Sequence, residues 1–286
     1  MAGHPRTWSP RARSMLVPAV IAGLALVVIA VAGAAIVGTS GGHPAAAPRG
    51  AAGPDAKATQ GTAAAAAILP LKGKVVGIDP GHNGRNYTDP SFLNRKVWNG
   101  REWEDCDTTG TQTVSGYTEA RFNFQVAGYL RADLIRDGAR VVLTRDSNNG
   151  IGPCVTTRSA IIDNAHANAA VDIHADGGPV SGRGFAILEP VADGPNDKVI
   201  ASSVRLGADV RSAMLAGTRM PVSGYDGKNG INFRDDLAGL NLTTVPKILI
   251  EVGNMRNSTD ARMLTSAAFQ QQVARVLLAA IVEFLK

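Results

Sequence analysis

Two histidines and two glutamates occupy positions from which an α/β sheet would present them together. His82 follows Asp79-Pro80-Gly81 at the end of a short apolar run, and His174 closes the run Ala170-Val171-Asp172-Ile173. Glu251 closes Ile248-Leu249-Ile250, and Glu119 lies in the first turn of a predicted helix. In open parallel sheets, ligands bind beyond the carboxyl ends of the strands. Two imidazoles and one carboxylate are a ligand set for a catalytic zinc that keeps one position open for water. The second carboxylate can then act as general base. The chemistry this suits is hydrolysis of a poor electrophile such as an amide, because zinc acidifies water and polarises a carbonyl. The spacing does not say which glutamate takes which role. A strand-end histidine is also more often structural than a ligand, so a structural pair stays open as the alternative at this point. Of the five histidines, His4 and His43 lie in the N-terminal tail, and His166 falls inside a predicted helix, where it reads as structural or surface.

The elements that must position these residues follow from hydropathy. Apolar runs predict strands over 74–78, 139–144, 170–174, 184–189 and 246–251. Helices are predicted over 118–137, 156–169, 199–216 and 266–285. In the first of these, Phe122, Val126, Tyr129, Leu130 and Leu134 recur at helical spacing, and Gly138 stops it. In the last, Phe269, Val273, Val276, Leu277, Ile281 and Phe284 form one face. Strands alternating with helices imply a single α/β domain with a mostly parallel central sheet flanked by helices and right-handed crossovers.

The stretch 83–116 breaks this rhythm. It is polar, rich in turn residues and holds Trp98 and Trp103. A loop of this length in a compact domain is usually functional, and this one starts directly after His82. It is expected to border the site and to gate the cleft. The two cysteines, Cys106 and Cys154, are compatible with one disulfide that tethers the loop, with two free thiols as the alternative. Neither belongs to a C-x-x-C pair, so they do not read as metal ligands.

The N-terminal region is of another kind. Residues 15–38 are uncharged and apolar, and Arg6, Arg11 and Arg13 precede them. A stretch of that length can span a bilayer, with the arginines on the cytoplasmic side. Residues 1–38 are therefore read as a signal peptide or a membrane anchor. Ala32-Gly33-Ala34 and Ala45-Ala46-Ala47 offer small-residue cleavage sites. Both readings place the rest outside the cytoplasmic membrane, secreted or tethered. Residues 39–70, rich in Ala, Gly and Pro, have too little apolar surface to fold and read as a disordered linker. Residues 71–286 are the expected catalytic domain, acting as a monomer. The formal net charge of +5 is concentrated in the tail, where Arg6, Arg11, Arg13, Arg49 and Lys57 face Asp55 alone. A nearly neutral remainder argues against a nucleic-acid partner.

Six motifs in order carry a family resemblance. They are Ile78-Asp79-Pro80-Gly81-His82, Thr118-Glu119, Val141-Val142-Leu143-Thr144-Arg145, Arg158 with Asn164, Asp172-Ile173-His174-Ala175, and Ile250-Glu251-Val252-Gly253 followed by Asn257. On these, residues 74–285 resemble the zinc-dependent N-acetylmuramoyl-L-alanine amidases of the Amidase_3 family. The resemblance implies a zinc ion held by His82, Glu119 and His174, with Glu251 as catalytic acid/base. It implies peptidoglycan or a muropeptide as substrate, cut between the muramoyl lactyl group and L-alanine. The chain departs from the usual family pattern at Asn83, Asp172, Asp176 and Asn254, none of which is a ligand. Two rival readings stand beside it: a zinc carboxypeptidase on a similar sheet, which uses the same ligand types, and a silent binder or regulator of wall enzymes, which predicts loss of the metal set.

Other polar residues in these motifs have structural readings. Arg145 and Arg158 could bind a stem-peptide carboxylate, but pairing with acids or fixing a loop is the favoured role. Trp98 and Trp103 could stack on sugars or anchor the loop. Asp79 is expected to orient a zinc histidine from behind rather than to bind metal itself, and Asp176 to face solvent, with substrate contact as the alternative.

Overall fold

The computed structural model describes residues 69–286. The expected signal or anchor segment, and all but the last two residues of the linker, lie outside the described residues. Among those described, no helix is long and apolar enough to cross a membrane.

In chain order, the first elements are β1 (Val75–Pro80), α1 (Pro90–Leu93), β2 (Lys96–Trp98), β3 (Trp103–Asp105) and α2 (Glu119–Arg136). Next come β4 (Arg140–Leu143), α3 (Val155–Asn164), β5 (Ala169–Asp176), β6 (Ala186–Pro190) and α4 (Ile200–Gly217). The last are β7 (Ile231–Arg234), α5 (Ala238–Asn241), β8 (Lys247–Asn254), α6 (Ser258–Leu264) and α7 (Ala267–Phe284). One six-stranded sheet has the order β4-β1-β5-β8-β6-β7, and β2–β3 form a separate hairpin. Strands β4, β1, β5 and β8 run parallel, and β7 runs parallel to β6.

β6 runs antiparallel to β8. The segment between β5 and β6 explains the reversal. A parallel return needs a crossover of a dozen or more residues, usually a helix, and residues 177–185 form no helix. The sheet is thus mixed, with one reversed pairing in a mostly parallel arrangement.

Strand periodicity sorts the sheet into two unlike faces. Val171 and Ile173 of β5 and Ile248, Ile250 and Val252 of β8 pack into the main core. That core also takes Phe122, Val126 and Leu130 from α2, Leu206, Val210 and Met214 from α4, and Phe269, Val273 and Leu277 from α7. Each such buried side chain stabilises the fold by about 1.5–3 kcal/mol. The opposite face has two small clusters, one around Ile162, Ala170 and Val245, the other around Ala186, Leu188, Leu240 and Leu249. The alternate residues Asp172, His174, Lys247 and Glu251 belong to this thinner-covered face. The polar side chains therefore gather where no long helix seals the sheet.

Several boundaries differ from the predicted ones: β5 runs on to Asp176 and β8 to Asn254, past His174 and Glu251. The helix expected over 156–169 ends at Asn164, because His166 adopts a left-handed backbone with φ 50°. His166 is an exposed turn residue rather than a helical one. The stretch 83–116 is not one loop. It contains α1 and the β2–β3 hairpin, and a Cys106–Cys154 disulfide ties its far end to the residue that caps α3.

Candidate active site

β1 delivers the first histidine through a sharp turn. His82 has φ 58°, a left-handed conformation uncommon for a residue with a side chain. Gly81 makes the turn possible: a Cβ there would lie 2.1 Å from the His174 ring. Two buried arginines hold the turn from below. Arg145 donates to Pro80 O, Gly81 O and Ala120 O, and Arg158 to Pro80 O and His82 O. Arg145 sends its remaining bonds to Ser147 O and Asn148 Oδ1, and Arg158 to Pro153 O, Asp79 and Asp107. Both guanidinium groups are occupied inside the fold and are structural.

α2 delivers Glu119 from its first turn, where the helix dipole favours a carboxylate and where Thr118 caps the chain by accepting from Arg121 N. β5 delivers His174, and the parallel neighbour β8 delivers Glu251 in register with it. The result is a compact cluster. His82 Nε2 lies 3.2 Å and His174 Nδ1 2.8 Å from Glu119 Oε1. The two imidazoles meet edge to face with centroids 4.8 Å apart. One donor atom from each of His82, Glu119 and His174 falls within 4.8 Å of the others, so the three could hold a metal ion.

The outward nitrogen of each imidazole faces a carboxylate. His82 Nδ1 lies 3.1 Å from Thr108 O and 3.4 Å from Asp107 Oδ1. His174 Nε2 lies 3.2 Å from Asp172 Oδ1. A carboxylate behind a histidine fixes its ring and raises its basicity as a ligand. Asp79, expected in that role, instead binds Thr144, Arg158 and Lys247. Asp107 and Asp172 stand behind the two imidazoles, the place expected for Asp79. Period-2 spacing from His174 could have found Asp172; a lone acid within a long loop gave no comparable signal for Asp107. Lys247, a fully buried lysine in an apolar strand, was also missed. Its Nζ lies 3.1 Å from Asp79 Oδ2 and 3.7 Å from Asp172 Oδ2.

These contacts set the charges. Burial works against a protonated His82, but Glu119 and Asp107 outweigh it and raise its pKa to about 9. His174 is likewise raised well above the ordinary value against its burial, by Asp172 and Glu119. Burial would raise Glu119, yet the two imidazoles hold it well below the usual carboxylate range. A field that holds two protons on imidazoles also attracts a cation, and metal binding would release those protons. Glu251 behaves oppositely. Burial is the main cause that pushes its carboxyl up to about 8, with Glu119 and Asp176 adding and the histidines opposing. Its Oε2 is buried with no hydrogen-bond partner among the described residues.

The cluster opens into a cleft of about 340 Å³, also lined by Thr108, Gly110, Thr111, Asp176 and Arg234. Thr111 N donates to Glu119 Oε2 at 2.9 Å, and a Cβ on Gly110 would lie 2.6 Å from the His82 ring. The segment 107–111 is therefore part of the site wall. Asp176, expected in solvent, is half-buried on this wall and accepts from Gly177 N. Trp98 and Trp103 pair across the exposed face of the hairpin.

A mixed α/β sheet that brings two histidines together with a carboxylate from the first turn of α2, and an unpaired glutamate beside them, has the donor set of a hydrolase that could hold a metal ion. Residues 76–283 match the N-acetylmuramoyl-L-alanine amidase family, described as Amidase_3. The chain belongs to that family. It is 39% identical to an N-acetylmuramoyl-L-alanine amidase of Mycobacterium tuberculosis over 231 residues, 78% of this chain and 91% of the relative. The crystal structure of an N-acetylmuramyl-L-alanine amidase of Mycobacterium smegmatis superposes with a TM-score of 0.71 at 36% identity, covering 75% of this chain and 98% of that one. The apo amidase of Mycobacterium abscessus gives the same TM-score of 0.71 and identity of 36%, covering 76% and 100%.

Proposed function

We propose that this protein hydrolyses the amide between the muramoyl lactyl group and L-alanine of peptidoglycan, with zinc held by His82, Glu119 and His174. The observation that carries the reading is the pairing of that donor set with the unpartnered buried Oε2 of Glu251. Two imidazoles and a carboxylate suit zinc. Zinc bound there supplies a Lewis acid that acidifies water and polarises the scissile carbonyl.

The remaining steps fall to the chain's own residues. Glu251 accepts a proton from the attacking water and passes it to the leaving alanine nitrogen, so that carboxylic acid and free amine result. Burial makes its carboxylate a stronger base than an exposed one, which favours proton uptake from water. Asp107 and Asp172 keep the imidazoles oriented. The substrate lies outside the cytoplasmic membrane, which agrees with the Cys106–Cys154 disulfide, since disulfides persist in oxidising compartments. The expected leader or anchor at residues 1–38 provides the route there.

The variant Glu251→Gln tests the assignment. It is expected to abolish peptide release while zinc, measured by atomic absorption, stays near one per chain. Retained hydrolysis would remove Glu251 from its role, and loss of the metal would make it a ligand.

A further inference from the structure

Arg234 is the single Lys or Arg among the described residues that line the cleft. It ends β7, on the Asp176–Glu251 side of the cluster. Its Nε and Nη2 donate to Asp236 at 2.6 and 2.7 Å. That bidentate pair locks the guanidinium plane, as the fork geometry of arginine allows. Nη1 has no partner among the described residues, and the side chain is 30% exposed. Across the Gly110–Thr111 sill the lining changes. The groove there, of about 510 Å³, is bounded by neutral residues including Asn83, Tyr87, Thr109 and Gln112.

The two halves of the substrate differ in the same way. On the sugar side the lactyl carboxyl is consumed in the scissile amide, leaving hydroxyls and acetamides. On the peptide side L-alanine's carboxyl is consumed in the next bond, and in a muramyl dipeptide, or where the second stem residue continues the peptide through its side-chain carboxyl, the first free carboxylate is that residue's α-carboxylate.

Building on the amidase reading, we propose that Arg234 is a specificity-determining residue that receives this α-carboxylate. The peptide then leaves the metal cluster toward β7, and the sugar lies over the sill in the neutral groove. Asp236 acts as its positioning residue.

The test compares the wild-type protein with Arg234→Gln and Arg234→Lys on two zinc-supplemented muropeptides. These differ only in whether the second stem residue carries a free α-carboxylate or its amide. Binding of the two corresponding free peptides is measured in parallel by calorimetry. A charge-assisted hydrogen bond contributes enough for a roughly 10- to 100-fold preference. The wild type is expected to favour the free acid by that factor, mainly through KM. Arg234→Gln loses the preference by falling on the acid substrate alone, and Arg234→Lys, a point charge without the fork, keeps part of it. An equal fall on both substrates, or an unchanged preference in Arg234→Gln, would overturn the proposal. If the wild type cleaves neither muropeptide, the amidase reading falls, and peptide binding still decides the role of Arg234: no acid preference there overturns it.

Discussion

Asp172 lies 3.2 Å from Nε2 of His174, two residues away on the same face of β5. The opposite nitrogen of that ring lies 2.8 Å from Glu119. His174 is therefore held between the carboxylate it shares with His82 and one that stands behind it.

This arrangement predicts that Asp172→Asn weakens zinc binding by about 10- to 100-fold, the usual effect of removing a carboxylate behind a metal histidine. Competition with a fluorescent chelator measures it directly. Unchanged affinity would reduce Asp172 to a partner of Lys247.

Lys247 sits between Asp79 and Asp172, which are opposite each other on the neighbouring strands β1 and β5. Buried like charges need neutralising, and burial of Asp79 is offset by Lys247 and Arg158, which hold it below the usual range. Lys247→Met is expected to destabilise the fold by about 3–5 kcal/mol, the cost of breaking a buried pair from one side. Urea unfolding checks this.

Glu189 of β6 offers a pH test away from the metal. The residue is 2% exposed, and its carboxyl packs where a Cβ on Gly207 of α4 would meet it. Burial raises its pKa from 4.5 to about 7. The folded state then binds more protons than the unfolded one between those values. Stability from this group is complete below pH 4.5 and is lost as pH rises toward 7. The difference is on the order of 3 kcal/mol. Glu189→Gln is expected to flatten the stability profile over that window in denaturant titrations at stepped pH.

The disulfide adjoins the site through sequence: Cys106 precedes Asp107, which backs His82. Cys106→Ser with Cys154→Ser should lower stability by about 2–5 kcal/mol. It should also weaken zinc binding, because Asp107 loses its fixed neighbour. A lower melting temperature with unchanged zinc affinity would separate the two effects.

The main sheet and its long helices were legible because apolar residues recur at 2.0 or 3.6 spacing in β5, β8, α2 and α7. The four central polar residues were legible because each follows an apolar run or starts a helix. β7 and the short α5 were not, since Ile231–Arg234 and Ala238–Asn241 mix polar and apolar residues without an apolar run. The reversal of β6 depends on pairing between distant strands, which no local pattern encodes. Asp107 was hidden for the same reason: its place behind His82 is set by the disulfide and by Arg158, contacts distant in sequence. The assignment of Asp79 failed because adjacency in sequence to His82 does not make it a contact. On β1 its side chain turns instead toward Lys247 and Arg158.

The most direct measurement is mass spectrometry of the products formed from a purified muropeptide, with and without chelator. The account predicts free stem peptide beginning with L-alanine plus an intact muramic acid sugar, abolished by chelation and restored by zinc. Trimmed peptides still attached to sugar, or peptide release that persists after the metal is removed, would contradict it.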